Sequence, residues 1–300
     1  MVYNKSMNNQ GANKYLLKES DGAMSFSLFI VGNILISFII QLILASFLST
    51  DSTAFLAVNS CITPLVMFLV IYYQAKIKGY TFSFCSLNKP NIKGVSLALL
   101  LSVGMFFGLA FINITFADFM DKIGANVSSP QVPLNNIFEL IIFIITIAIL
   151  PAIFEELFFR GLLFSSLNGQ KDWVKVLIVS LCFTLYHCSI TQFFYQFLFG
   201  VFLCFLRMQT KSTIPCMITH FVNNFVVLLL TFLKVDIDFT NLLVIGVGLV
   251  CLAVFIFYCV VPVVKKKSTA NSQGLKDFFL PYGLFGLVAC MVLALSSLLG

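Results

Sequence analysis

The sequence predicts an all-α fold, a polytopic transmembrane bundle of about eight or nine membrane helices. Aliphatic, aromatic and Cys residues make up 60% of the 300 residues and charged residues only 10%, where a soluble domain carries ~25% charge. Mean hydropathy is +1.02. Apolar segments recur at 24–48, 54–75, 93–117, 135–165, 173–189, 192–207, 213–233, 241–263 and 278–299, most of them near the ~20 residues that a membrane span requires. A chain of this length suits one bundle.

Taken in order, residues 1–23 form a polar tail with Lys5, Lys14 and Lys18. The run that follows is longer than a signal-peptide core and lacks a small-residue cleavage site, so it is expected to be a retained first helix. The bundle occupies 24–264. Within it, Ser128-Ser-Pro130-Gln-Val-Pro133 is expected to be a rigid loop leading into the fourth helix. The fifth and sixth segments are short, and only Cys188-Ser-Ile-Thr191 separates them. They either span with strong tilt or form a hairpin dipping into the bundle. Residues 265–277 read as a linker and 278–300 as a C-terminal hydrophobic helix.

Lys and Arg in alternate connections orient the chain. One side holds the tail, then Lys76, Lys78, Lys89 and Lys93, Lys171 and Lys175, Arg207 and Lys211, and finally Lys265, Lys266, Lys267 and Lys276. The other side holds Asp51, Asp118, Asp121, Lys122, Lys234, Asp236 and Asp238. The expectation is a multi-pass cell-membrane protein with a cytoplasmic N-terminus, and nine spans would leave the C-terminus outside. The net charge of +6 is therefore a matter of topology and gives no reason to expect nucleic acid. Nine scattered Cys form neither a disulfide framework nor a zinc cluster.

The chain is organised around Pro151-Ala-Ile-Phe-Glu155-Glu156-Leu-Phe-Phe-Arg160, which lies inside a long apolar run. A charge at membrane depth costs ~2.5–3.5 kcal/mol even on the translocon-insertion scale, so these three need compensation. Glu156 and Arg160 are four apart and can pair on one helix face. Glu155 lies ~100° round the axis, without that partner. A structural ion pair accounts for Glu156 and Arg160 and leaves Glu155 unexplained.

Both histidines fall on predicted membrane segments, His187 at the end of Phe183-Thr-Leu-Tyr-His187 and His220 four residues before Asn224. His220 and Asn224 share a helix face and offer donors suited to a developing oxyanion. Glu155 and His187 can jointly hold a water, with Glu155 as general base. Asn223 points ~100° away from Asn224 and is the weaker candidate. Phe183 can pack on the His187 face. The sequence contains no GxSxG elbow, no HExxH and no phosphate-binding glycine loop.

Glu155-Glu156-x-x-x-Arg160, Phe183-x-x-x-His187 and His220-x-x-x-Asn224, in that order and within about 135–233, resemble the CPBP family of intramembrane endopeptidases, the CAAX prenyl proteases and bacteriocin-processing (Abi) enzymes. The resemblance implies a polar cavity within the membrane, open to the cytoplasmic side, in which a peptide or protein substrate is hydrolysed. It assigns Glu155 as the water-activating base with His187 as its partner, Glu156 and Arg160 as supporting residues, and His220 with Asn224 as the oxyanion site. The family has been described both as metalloproteases and as metal-free glutamate proteases. If zinc is present, Glu155, His187 and His220 are the ligands; no cofactor is the favoured expectation. No further buried carboxylate stands ready to orient a ligating histidine, as zinc sites require, since Glu139 lies near the outer end of its helix. The alternative is a non-catalytic role, as a bacteriocin-immunity protein or a proton-coupled transporter. Transport finds no support in inverted repeats or paired broken helices.

Overall fold

The structure, a computed structural model, describes residues 17–123, 132–266 and 275–299. Most of the expected tail, of the loop at 128–133 and of the linker lies outside the described residues. Among those described there are nine helices and no strand. They are α1 Glu19–Ala45, α2 Thr53–Ile77, α3 Ile92–Lys122, α4 Ile137–Ser166, α5 Asp172–Tyr186, α6 Phe193–Thr210, α7 Ile214–Leu233, α8 Leu242–Lys265 and α9 Leu275–Ser296. Eight are long and apolar enough to cross a membrane. The exception is α5, whose 15 residues reach only ~22 Å.

The helix starts follow local chemistry. Side-chain oxygens of Ser52, Asn91, Asn136 and Asn241 accept the otherwise unpaired backbone N–H groups that open α2, α3, α4 and α8. Pro215 sits in the first turn of α7, where its missing N–H costs nothing. The first helix begins five residues ahead of its apolar run because Asp21 Oδ2 accepts the Lys18 N–H at 3.1 Å, placing acid at the positive end of the helix dipole.

The connections knit together at one end. Thr213 N donates to Ser86 O at 3.0 Å, Asn88 Nδ2 to Lys211 O at 2.7 Å, and Ser165 Oγ to Phe84 O at 2.9 Å. Gln170 Nε2 reaches Glu19 at 2.7 Å and the Tyr80 hydroxyl reaches Asp21 at 2.6 Å. The start of α1 and the α2–α3, α4–α5 and α6–α7 connections therefore share this end, which carries Lys78, Lys89, Lys171 and Lys211. At the opposite end Thr53 donates to Glu139 at 3.0 Å, and the described connections there are poor in lysine.

α4 runs through the middle of the bundle, touching α2, α7 and α1. α3 and α8 cross in tight contact. Gly104 and Gly108 lie one turn apart on α3 and face Leu252 and Gly248 of α8, the small-residue spacing that lets membrane helices approach backbone to backbone. A Cβ on Gly248 would stand 2.0 Å from Gly108 N and 2.4 Å from its Cα. Gly248→Val is therefore expected to force α3 and α8 apart at a cost of ~3 kcal/mol or more, read as a lowered melting temperature in detergent, while Gly246→Val, where a Cβ meets nothing within 4 Å, should melt as the parent does.

Candidate active site

The site begins with an irregularity in α4. Wider turns with i→i+5 hydrogen bonding occupy Ile144–Ile149 and Leu157–Leu163, on either side of the regular stretch Leu150–Glu156. Turns of this kind mark functional sites in many helices. Pro151 deepens the break, because it has no N–H to give the carbonyl of Ile147. Asn224 of α7 fills that place, with Nδ2 donating to Ile147 O at 3.0 Å.

Glu155 and Glu156 sit at the end of the regular stretch and point to different neighbours. Glu156 and Arg160 are fully buried, and Arg160 Nη1 donates to Glu156 Oε1 at 3.0 Å. The guanidinium also lies 4.2 Å from the Phe183 ring centre, a cation–π contact strengthened by desolvation, and Nη2 reaches Gly200 O at 3.4 Å. The same Glu156 Oε1 lies 2.9 Å from His220 Nδ1. One carboxylate thus serves a guanidinium and an imidazole. This corrects the expectation that no buried carboxylate orients a histidine. The i,i+4 spacing revealed the Arg160 partner, whereas the His220 partner depends on how α7 packs on α4.

Glu155 is 6% exposed. Its Oε2 has no hydrogen-bond partner among the described residues and lies 3.9 Å from His220 Nε2, and Tyr186 lines the cavity beside it. A carbonyl only accepts and a carboxylate accepts most readily, so the contacts assign tautomers. His187 Nδ1 donates to Phe183 O at 2.7 Å and His220 Nδ1 donates to Glu156. Each ring is left with Nε2 for chemistry. Phe183 is the hub, with its ring centre 4.9 Å from that of His187 and 6.2 Å from that of His220.

On α7, His220, Asn223, Asn224, Val227 and Thr231 follow helical spacing and line one cavity. The Tyr195 hydroxyl donates to Asn223 Oδ1 at 2.6 Å, and Asn223 Nδ2 donates to Asn224 Oδ1 at 3.3 Å. This chain holds the Asn224 amide with its nitrogen toward α4, one N–H on Ile147 O and one left over. Asn223, Tyr186 and Tyr195 therefore belong to the site. Tyr186 adjoins His187 in the motif, which was a readable signal; Tyr195 reaches Asn223 only through the packing of α6 on α7.

The cavity holds about 750 Å³, and Glu155, His187, His220 and Asn224 all line it. Its walls continue to Val132 and Leu134, to Gln192, and to Val235, Asp236 and Phe239, at the lysine-poor end. In the other direction Phe158, Phe159, Leu162, Leu163, Leu203 and Cys216 are fully buried and close the bundle. The expectation of an opening toward the lysine-rich side is not met: the Glu156–Arg160 pair and this apolar layer fill that end.

Zinc requires its ligands ~2.0–2.2 Å from one point. The tethered Nδ1 atoms suit ligation through Nε2, yet only His220 comes within 4.0 Å of Glu155. No group of three His, Cys, Asp or Glu able to hold a metal ion occurs among the described residues. As placed, Glu155, His187 and His220 do not fit the ion.

Residues 137–226 match the family model described as type II CAAX prenyl endopeptidase Rce1-like. The match opens at the first residue of α4 and ends two residues past Asn224, spanning all three motifs. No curated protein and no solved structure matches the chain.

The shared carboxylate generates a stability prediction. Glu156→Gln leaves Arg160 buried without a counter-charge, an arrangement that costs ~3–5 kcal/mol. The variant is expected to melt far below the parent in detergent. Glu155→Gln, which strands no cation, should melt close to the parent.

Proposed function

We propose that this chain, built on a Rce1-like core at 137–226, is an intramembrane endopeptidase that hydrolyses a peptide bond in its central cavity. The observation that carries the reading is the division of labour between adjacent carboxylates. Glu156 is consumed by Arg160 and His220, while the neighbouring Glu155 lines the cavity and keeps an oxygen without a partner.

Glu155 accepts a proton from water as the water oxygen bonds to the substrate carbonyl carbon. His187, held by its Nδ1 contact to Phe183, steadies that water through Nε2. As the tetrahedral intermediate forms, its oxyanion takes the remaining Asn224 N–H and a proton-bearing His220 Nε2. Because Glu156 already engages Nδ1, His220 donates from Nε2 only as the imidazolium. Glu155 then returns its proton to the leaving amine nitrogen as the C–N bond breaks, so water is added across the peptide bond and the enzyme is unchanged. The Tyr195–Asn223 chain holds the Asn224 amide in place. Preorganised donors of this kind, fixed before the charge develops, are the largest single contribution in many hydrolases.

Glu155→Gln in purified protein is expected to abolish cleavage of a quenched peptide while melting near the parent, because the amide keeps the shape and cannot take the proton. Retained cleavage would refute the role. Asn224→Ala should lower kcat by ~10²–10³, the loss of one oxyanion donor, with little change in KM. It should also lower stability by ~1–3 kcal/mol, since Ile147 O loses its donor.

Hydrolysis is expected to survive prolonged dialysis against a strong chelator, with purified protein holding well under one equivalent of zinc. Activity that vanishes with the metal and returns on adding zinc would overturn the metal-free arrangement and leave the hydrolase reading standing.

A further inference from the structure

The cavity and the lysines lie at opposite ends of the molecule. Following the cavity wall outward from Glu155, the lining passes Asn113 and Ile114 near the C-terminal half of α3, Gln192 and Gln196 at the start of α6, and Thr231 at the end of α7. It finishes on the α7–α8 connection, where Asp236 and Val235 are exposed. In the other direction the closure is continuous. Glu156 and Arg160 are fully buried, and so are the side chains that cover them. The α4 backbone presses on the short turn Phe82–Cys85 so closely that a Cβ on Gly161 would meet Cys85 Cα at 3.1 Å.

Behind that seal stand Lys78, Lys89, Lys171, Lys211, Lys265 and Lys266, whereas Lys122 and Lys234 are the described lysines of the cavity end, beside Asp51, Asp118, Asp121, Asp236 and Asp238. Short lysine-rich connections are retained on the cytoplasmic side. Each additional lysine strengthens the bias, and here four successive connections agree.

We infer that the cavity admits its substrate from the non-cytoplasmic face of the membrane. The inference rests on the hydrolase reading for what happens to the substrate, and on the wall and charge positions alone for the side of access. The substrate class follows from the lining. It is largely apolar, with amides from Asn113, Gln192 and Gln196 and an acidic residue, Asp236, near the surface; among the described residues no Lys or Arg lines it. A free C-terminal carboxylate finds no Lys or Arg there among the described residues. The fitting substrate is an uncharged or cationic, largely apolar peptide segment presented at the outer surface, cut within its length. A cytoplasmic chain would have to cross the layer of Phe158, Phe159, Leu162 and Leu163 to reach Glu155.

The test uses the full chain in sealed right-side-out membrane vesicles. Gln196→Cys on the cavity wall and Asn168→Cys in the α4–α5 connection are treated with a charged, membrane-impermeant maleimide, read against the unsubstituted protein with its nine native cysteines. Gln196→Cys is expected to label severalfold above that background in intact vesicles, and Asn168→Cys only after the vesicles are opened. Thr231→Cys repeats the measurement should Gln196→Cys fail to accumulate. The reverse pattern overturns the inference and leaves the hydrolase reading intact. In a second arm an impermeant quenched peptide, apolar with one lysine, is added to the same vesicles and to inside-out ones. Cleavage by right-side-out vesicles, absent in Glu155→Gln, supports the inference. Cleavage confined to inside-out vesicles overturns it. If detergent-solubilised protein cleaves no peptide while labelling keeps the expected pattern, the hydrolase reading falls and the side of access stands.

Discussion

One oxygen, Glu156 Oε1, holds this structure together. It accepts from Arg160 Nη1 at 3.0 Å and from His220 Nδ1 at 2.9 Å, where no water competes. Both contacts are charge-assisted, stronger than neutral hydrogen bonds, and the one to His220 joins α4 to α7. Because Arg160 also leans on Phe183 of α5 and reaches the Gly200 carbonyl of α6, four helices meet around one guanidinium. Buried ion networks of this kind add little net stability over a well-packed apolar core, but losing one member strands the rest. What the network contributes here is register: it decides the depth at which α7 lies against α4, and hence where His220 Nε2 points.

The same register places Asn224 opposite the carbonyl that Pro151 leaves unpaired. A proline within a membrane helix needs a partner for the freed backbone oxygen, and the carboxamide from the next helix supplies it. Glu156–His220 and Ile147–Asn224 are two pins, four residues apart on α7, that fix the helix against rotation. Between them the cavity wall turns from apolar to polar. The wider turns of α4 on either side of Leu150–Glu156 let one helix present Glu155 to the cavity and Glu156 to the interior.

The stretch that matches the Rce1-like family model, 137–226, runs from the start of α4 into α7; α1, α2, α3, α8 and α9 enclose it. The α3–α8 crossing on paired glycines supplies a rigid wall at Phe106 and Ala110, and α9 packs along α1. The aromatic layer of Phe158, Phe159 and Phe183 closes the lysine-rich end, so the polar site is reached along one direction.

What the sequence determined by itself was whatever depends on spacing along one helix. Mean hydropathy and the recurrence of apolar runs set the bundle, i,i+4 set Glu156 with Arg160 and His220 with Asn224, and the cost of charge in an apolar run singled out Glu155. Contacts that pass between helices were not legible, because period and propensity are silent on which faces meet. Packing alone decided that Glu156 orients His220 and that Tyr195 and Asn223 hold the Asn224 amide. It also decided that Glu155 stands 3.9 Å from His220 Nε2, and that the cavity runs away from the lysines. Lys and Arg positions tell which side of a membrane each connection occupies, but only the burial of particular side chains determines which end of the bundle is closed.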